Sequence, residues 1–273
     1  MKILRPGRPS SMGPCGTNLV AMNLTGIEVI EDRTSVSRCD EGFLRLRRLV
    51  VQNVYDDGTT SRAYPCDLVR RKGSDAVVAV LHEVDEEGRV WVLLREAPRV
   101  PVYLRREEEF VHPDPREYLT VIEVVAGIVE ADDPSGVEGL RRRAAAEARE
   151  EAGIEADPGI FEELGGETFA SPGTSDEKIY FVSGEVALEA GHASGDGSAM
   201  EEWGRLHRLE LREAITMCRD GRIPDMKTEV ALLRLADGLS YLHSIDTFVR
   251  ELPEQMRRRH RPEGLGRSSE GTA

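Results

Sequence analysis

The hydrophobic pattern alternates between short β-type runs and one long helical period. Val77-Val-Ala-Val-Leu81 and Val90-Trp-Val-Leu-Leu94 are apolar runs, and Asp85-Glu-Glu-Gly88 between them has turn composition, so they predict a β-hairpin. The β-branched run Tyr118-Leu-Thr-Val-Ile-Glu-Val-Val125 predicts a third strand, and Ala126-Gly127 a turn where glycine lets the backbone approach another group closely. Residues 136–152 predict a helix. Ser135 and Glu138 form a Ser-x-x-Glu capping box at its start, and Gly153 suits the left-handed stop position.

Downstream, residues 161–169 and 178–186 read as strands flanking Ala170-Ser-Pro-Gly-Thr-Ser-Asp-Glu177, whose Pro-Gly pair and small polar residues mark a loop. Residues 230–239 return to an apolar helical period. Upstream, residues 43–55, Asp56-Asp-Gly58 and residues 59–69 predict strand, turn and strand. The order implies an α/β class, a mixed sheet between helices, with an N-terminal antiparallel β extension. The expected organisation is an arm at 1–42, a β subdomain at 43–70, a main domain at 71–245 and a tail at 246–273. A chain of 273 residues can bury a substantial core as one catalytic domain with extensions.

Composition narrows the partners. The net charge of −14 argues against nucleic acid, which selects basic surfaces. Arg257-Arg-Arg-His-Arg261 is the one basic run and reads as a solvated terminal stretch. No run approaches the ~20 apolar residues of a membrane span, and Met1–Ser10 has no signal-type apolar core, so a cytoplasmic location is expected. Cys15, Cys39, Cys66 and Cys218 are scattered without metal-ligand spacing and are expected to be reduced, incidental thiols.

The chemistry concentrates on Glu147, Glu150 and Glu151. Spacings of three and four residues put these carboxylates on one helix face, where like charges cost about 0.2–0.5 kcal/mol per pair. A divalent cation with oxygen ligands would offset that repulsion. A solvated acidic face flanked by arginines accounts for the same residues equally well in a chain with 32% charged residues.

What surrounds them resembles the Nudix hydrolase signature: Gly, five residues, Glu, seven residues, Arg-Glu, then x-x-Glu-Glu-x-Gly and an apolar residue. Gly127, Glu138, Glu147, Glu150, Glu151, Gly153 and Ile154 take the matching places. Two departures stand out. The loop between Gly127 and Glu138 is five residues longer, and Ala146 replaces the signature arginine, which in the family orients a catalytic glutamate by an ion pair. Arg143 and Arg149 are the substitutes at hand.

The Ser-Pro-Gly loop, an arginine after the second apolar run and a closing helix after Asp220-Gly-Arg-Ile-Pro-Asp-Met-Lys-Thr-Glu229 are similar to the ADP-ribose pyrophosphatase branch. That resemblance spans residues 43–242 and implies a Nudix-type α/β/α sandwich. It implies Mg²⁺, with Mn²⁺ as a substitute, held by Glu147, Glu150, Glu151 and the backbone of Ala126. Glu177, with Glu147 and Glu150, would take catalytic roles, Glu177 acting on the attacking water. Arg99, or Arg95, would contact the substrate diphosphate and Glu123 a substrate hydrogen bond or a supporting contact. The N-terminal β pair would form a homodimer. Just before Val69 the branch often carries Arg-Glu, whereas this chain has Cys66-Asp67.

The implied reaction is hydrolysis of a nucleoside diphosphate-linked small molecule, ADP-ribose to AMP and ribose 5-phosphate in the leading case. A nucleotide-sugar diphosphatase of the UDP-glucose-cleaving kind is the alternative. Ala146 also allows a catalytically impaired, nucleotide-binding domain, and an acid-faced helix in a metal-free interaction protein is the plainest reading.

Overall fold

Strands β3 (Ala76–Val84) and β4 (Val90–Pro98) form the expected hairpin, turned at Asp85–Arg89 by two backbone hydrogen bonds. They pair with each other only from His82 to Val84 against Val90 to Val92, then part. Strand β5 (Thr120–Ile128) lines both arms, Thr120–Val124 along β4 and Val125–Ile128 along β3. At this change of partner the Val124 N–H donates to the Thr228 hydroxyl at 2.8 Å, so a buried polar group is satisfied from outside the sheet. The coordinates, a computed structural model, describe residues 42–71, 73–114, 116–189 and 204–257.

A single helical turn, α1 (Val100–Tyr103), follows β4, and helix α2 (Val137–Ala152) follows β5. Two short strands, β6 (Glu162–Glu163) and β7 (Thr168–Phe169), stand where one strand at 161–169 is expected. Both pair with β8 (Lys178–Glu185), which runs parallel to β3. The pattern does not single out β9 (Arg205–Glu210), which pairs with β4, or helix α3 (Leu211–Arg219), while α4 (Met226–Gly238) is the expected closing helix. The sheet order is β6-β8-β3-β5-β4-β9, with β7 also on β8.

Alternation along these strands builds the layers. Val77, Ala79, Leu81, Leu93 and Val125 pack against Leu140, Ala144 and Ala148 of α2. Val78, Val80, Val92, Leu94 and Val124 pack against α3 and α4, through Leu211, Ile215, Leu232 and Leu235. The fold is thus an α/β/α sandwich on a mixed sheet.

The N-terminal extension is a separate hairpin, β1 (Leu44–Val51) with β2 (Tyr64–Arg71). It turns at Tyr55–Thr59, where Gly58 has φ 81°, as Asp56-Asp-Gly58 implies. No residue of either strand is fully buried. Its hold on the main sheet runs through the Ser-Pro-Gly loop: the Val69 N–H donates to the Thr174 carbonyl at 2.8 Å, Arg70 pairs with Asp176 and Arg71 with Glu177.

Two local expectations need correction. Ala126-Gly127 is no turn but the end of β5, opposite Val78 and Val77. Ser135 does not cap α2; Gly136 does, at φ 76°, and Glu138 instead pairs with Arg142 at 2.7 Å. The preceding loop is already closed by Asp133, which accepts the Glu130 N–H at 2.8 Å and both arms of the Arg143 fork. Gly153 ends the helix in the left-handed conformation, φ 65°, as expected. Strands β10 (Tyr241–Leu242) and β11 (Thr247–Phe248) pair across residue 245. Cys66 is a free thiol, and burial pushes the free Cys218 thiol up to about 12. Cys15, Cys39, nearly all of the arm and the basic run beyond Arg257 lie outside the described residues.

Candidate active site

The site forms where α2 crosses β5. Glu147 and Glu151 are both buried, 8% and 5% exposed, in a helix whose other buried positions are small or apolar. Glu147 lies directly over Gly127: a side-chain carbon there would come within 1.7 Å of Glu147 Oε1. Glycine is needed at this position for space, since its backbone is ordinary strand. Glu151 is held at both oxygens, Oε1 accepting from Arg95 Nη1 at 2.8 Å and Oε2 from the Ala126 N–H at 3.1 Å.

The third carboxylate separates from these two. Glu150 keeps 23% of its side chain exposed and meets Arg149 at 3.4 Å. Helix geometry gives the reason: positions 147 and 151 lie about 40° apart around the axis, while 150 and 151 lie about 100° apart. Among the described residues, no three histidine, cysteine or carboxylate side chains are gathered as a metal-ligand set. The donor chemistry still fits a hard cation, because magnesium usually keeps several waters and takes only one or two carboxylates from the protein. Glu147 and Glu151, beside the backbone at Ala126–Gly127, supply that pair.

Next to them is a narrow cleft lined by Arg95, Ala97, Arg99, Glu123, Val124 and Glu151. Arg99, just past β4, places its fork on Glu123 at 2.9 and 2.7 Å. Lys227 Nζ donates to the same carboxylate at 2.7 Å and to Asp225 at 3.0 Å. Burial alone would raise the Glu123 carboxyl, but Arg99 and Lys227 outweigh it and hold it at about 2. Arg99 remains 36% exposed on its side chain, whereas that of Arg95 is only 6% exposed.

Sequence reasoning missed Lys227 and Asp225 as members of this cluster. Asp225 caps α4, accepting the Thr228 N–H at 3.0 Å, and its place three residues before a threonine in an apolar-periodic stretch is a readable signal. Lys227 has no such local mark; the fold alone brings it to Glu123, 104 positions away.

The arginines on α2 divide between the two substitutes considered for position 146. Arg143 gives its fork to Asp133 at 3.0 and 3.1 Å and stands 3.9 Å from Glu147 Oε1, while Arg149 is half exposed and, among the described residues, pairs with Glu150. Glu177 stands apart from this cluster. It ends the Ser-Pro-Gly loop before β8, paired with Arg71 of the N-terminal hairpin, at the end of the sheet where Ala76 bridges Ile179 and Ile128.

GDP-mannose pyrophosphatase of Yersinia enterocolitica is 32% identical over 179 residues, covering 63% of this chain and 85% of that protein. GDP-mannose pyrophosphatase of Pectobacterium atrosepticum is 33% identical over 171 residues, 62% of this chain and 82% of that protein. The chain belongs to their family, the Nudix-type hydrolases. No protein-family model matches the chain. Within the Nudix-type signature, Gly127, Glu147 and Glu151 meet at one point, whereas Glu138 pairs with Arg142 on the helix surface.

Proposed function

We propose that this Nudix-type hydrolase cleaves the diphosphate bond of a nucleotide sugar, with GDP-mannose the leading substrate. The observation that carries it is a cluster of charges: Arg99 and Lys227 meet on Glu123, Arg99 and Glu123 line one narrow cleft with Glu151, and Glu147 and Glu151 are buried one turn apart on α2. The relatives' names favour a nucleotide sugar over ADP-ribose.

A magnesium ion, or manganese in its place, would be held by Glu147 and Glu151, with Glu150 and the backbone of Ala126 completing the set through water or directly. When bound, it neutralises diphosphate charge and makes a coordinated water more acidic. The chain's own residues do the rest. Arg99 offers a planar fork to phosphate oxygens and Lys227 a point charge, both now resting on Glu123. Incoming phosphate exchanges with that carboxylate, so Glu123 keeps the cations in place between turnovers. The resemblance, rather than a contact with Glu147 or Glu151, assigns the attacking water to Glu177, which lies in the loop that Arg71 fixes. Attack of water at one phosphorus breaks the P–O–P link and releases nucleoside monophosphate and sugar 1-phosphate.

The exposed apolar residues Phe43, Leu44, Val50, Val54, Tyr55 and Tyr64 all lie on the N-terminal hairpin. A lone two-stranded hairpin is marginal in water, which supports a homodimer built on this face. Among the described residues no helix is long and apolar enough to cross a membrane. The test of function is incubation with Mg²⁺ and GDP-mannose, UDP-glucose or ADP-ribose in parallel, with products separated chromatographically. GMP and mannose 1-phosphate are expected fastest. Turnover of ADP-ribose alone, or of none, would overturn the reading.

A further inference from the structure

We infer that Arg95 is the positioning residue for Glu151, supplying from strand β4 the cation that the signature places on the helix and that Ala146 lacks. This rests on the reading of Glu151 as a metal ligand. The other arginines nearby are committed elsewhere: Arg143 to Asp133, Arg149 to Glu150, Arg99 to Glu123. Arg95 donates to Glu151 at 2.8 Å, and both side chains are 6% exposed. Charge-assisted bonds are strongest in such a dry setting.

The carboxylate is held at both oxygens. Arg95 takes Oε1 and the Ala126 N–H takes Oε2, which fixes the plane of the carboxylate as well as its position. Arg95 itself starts from a rigid place, because β4 is paired on either side there, with Glu123 of β5 and Leu206 of β9 opposite it. Glu123 across the strand is already saturated by Arg99 and Lys227, which leaves the Arg95 guanidinium to Glu151.

A role in stability alone explains this poorly. Buried ion pairs exchanged for apolar residues of similar volume are often no less stable, and Arg95 Nε is buried with no hydrogen-bond partner, an unmade bond that costs stability. Nor is Arg95 an open diphosphate contact, at 5% exposure behind the carboxylate.

The experiment compares Arg95→Met, Arg95→Lys and Arg95→Met/Ala146→Arg with the parent. It measures kcat and KM on GDP-mannose, and the Kd for Mn²⁺ alone, by electron paramagnetic resonance. Groups that orient metal ligands are worth about 10–100-fold in affinity or activity. Arg95→Met is expected to weaken Mn²⁺ and lower kcat by about that factor, with KM changing less than about threefold. A lysine keeps charge without the fork, so Arg95→Lys should fall about 3–10-fold below the parent in both quantities. The double variant should recover part of the kcat lost in Arg95→Met. Parent-like kcat and Mn²⁺ affinity in Arg95→Met, or a rise in KM with kcat unchanged, would overturn the inference. If Arg95→Met does not fold, parent-like values in Arg95→Lys would do so. The parent's own turnover judges the proposed function, and the ratios of variant to parent judge Arg95; Mn²⁺ ratios still do so if GDP-mannose is not the substrate.

Discussion

Gly127 and Glu147 occupy what would otherwise be the same space. The carboxylate oxygen stands 1.7 Å from where a Gly127 side-chain carbon would be, far inside any van der Waals contact. Gly127→Ala must therefore push Glu147 off β5 or part α2 from the sheet. A displacement of about 1 Å at a reacting centre costs on the order of 10²-fold in rate. We expect Gly127→Ala to lose that much kcat on a nucleotide sugar, by steady-state kinetics, along with several degrees of Tm. Parent-like kinetics would show that Glu147 is not needed in this position.

Arg143 and Arg149 should behave differently. Arg143 is 3.9 Å from Glu147 and ties it to the loop at Glu130 and Asp133, whereas the half-exposed Arg149 meets Glu150. Arg143→Ala is expected to lower kcat about tenfold through loosened orientation, with Arg149→Ala unchanged. Ala146→Arg in the otherwise intact chain should add nothing. A large gain in that variant would mean that neither Arg143 nor Arg95 makes up for the missing arginine.

Acid stability has a named contributor in Glu123. Its carboxyl lies at about 2 in the folded chain against 4.5 in a free side chain, since Arg99 and Lys227 overcome the effect of burial. The stabilisation is complete above about pH 4.5 and fades as pH falls toward 2, amounting to roughly 3 kcal/mol. Glu123→Gln should remove about one proton from the pH slope of unfolding free energy in that window, read from urea melts at several pH values. An identical slope in the variant would show that the pair is not formed in solution.

The N-terminal hairpin makes a prediction about mass. Leu44 and Val50 lie on one face of β1, 52% and 77% exposed, with no apolar layer over them among the described residues. Leu44→Asp/Val50→Asp should convert a dimer to a monomer in light scattering while leaving the main sheet folded. A parent protein that is monomeric at micromolar concentration would refute the dimer.

Local signals carried much of this structure. Gly153 marks the end of α2 because only a left-handed residue closes it there, and the period of residues 230–239 marks α4. The glycine at 127 was visible in the sequence, but the reason for it was not, since the reason is a carboxylate twenty residues on. Ser135 misled because a capping pattern competes with the loop's own closure by Asp133 and with the freedom of Gly136. The Arg95–Glu151 and Lys227–Glu123 pairs join positions 56 and 104 apart, and nothing local announces such partners. Residues 205–219 escaped notice because β9 alternates charged and apolar residues weakly and α3 follows it without a glycine or proline.

The central strand has a consequence for how the chain is made. β3 holds Val77 to Leu81 at full burial, and its partner β8 matches Ala76 to Ile179, 103 positions later in the sequence. At a synthesis rate of about 5–20 residues per second, that edge is without its neighbour for roughly 5–20 s on the ribosome. An open apolar strand edge is a template for pairing with other chains. Slower translation lengthens this window and a crowded polysome fills it with identical strands, so the yield of soluble protein should depend on chaperones that cover nascent chains.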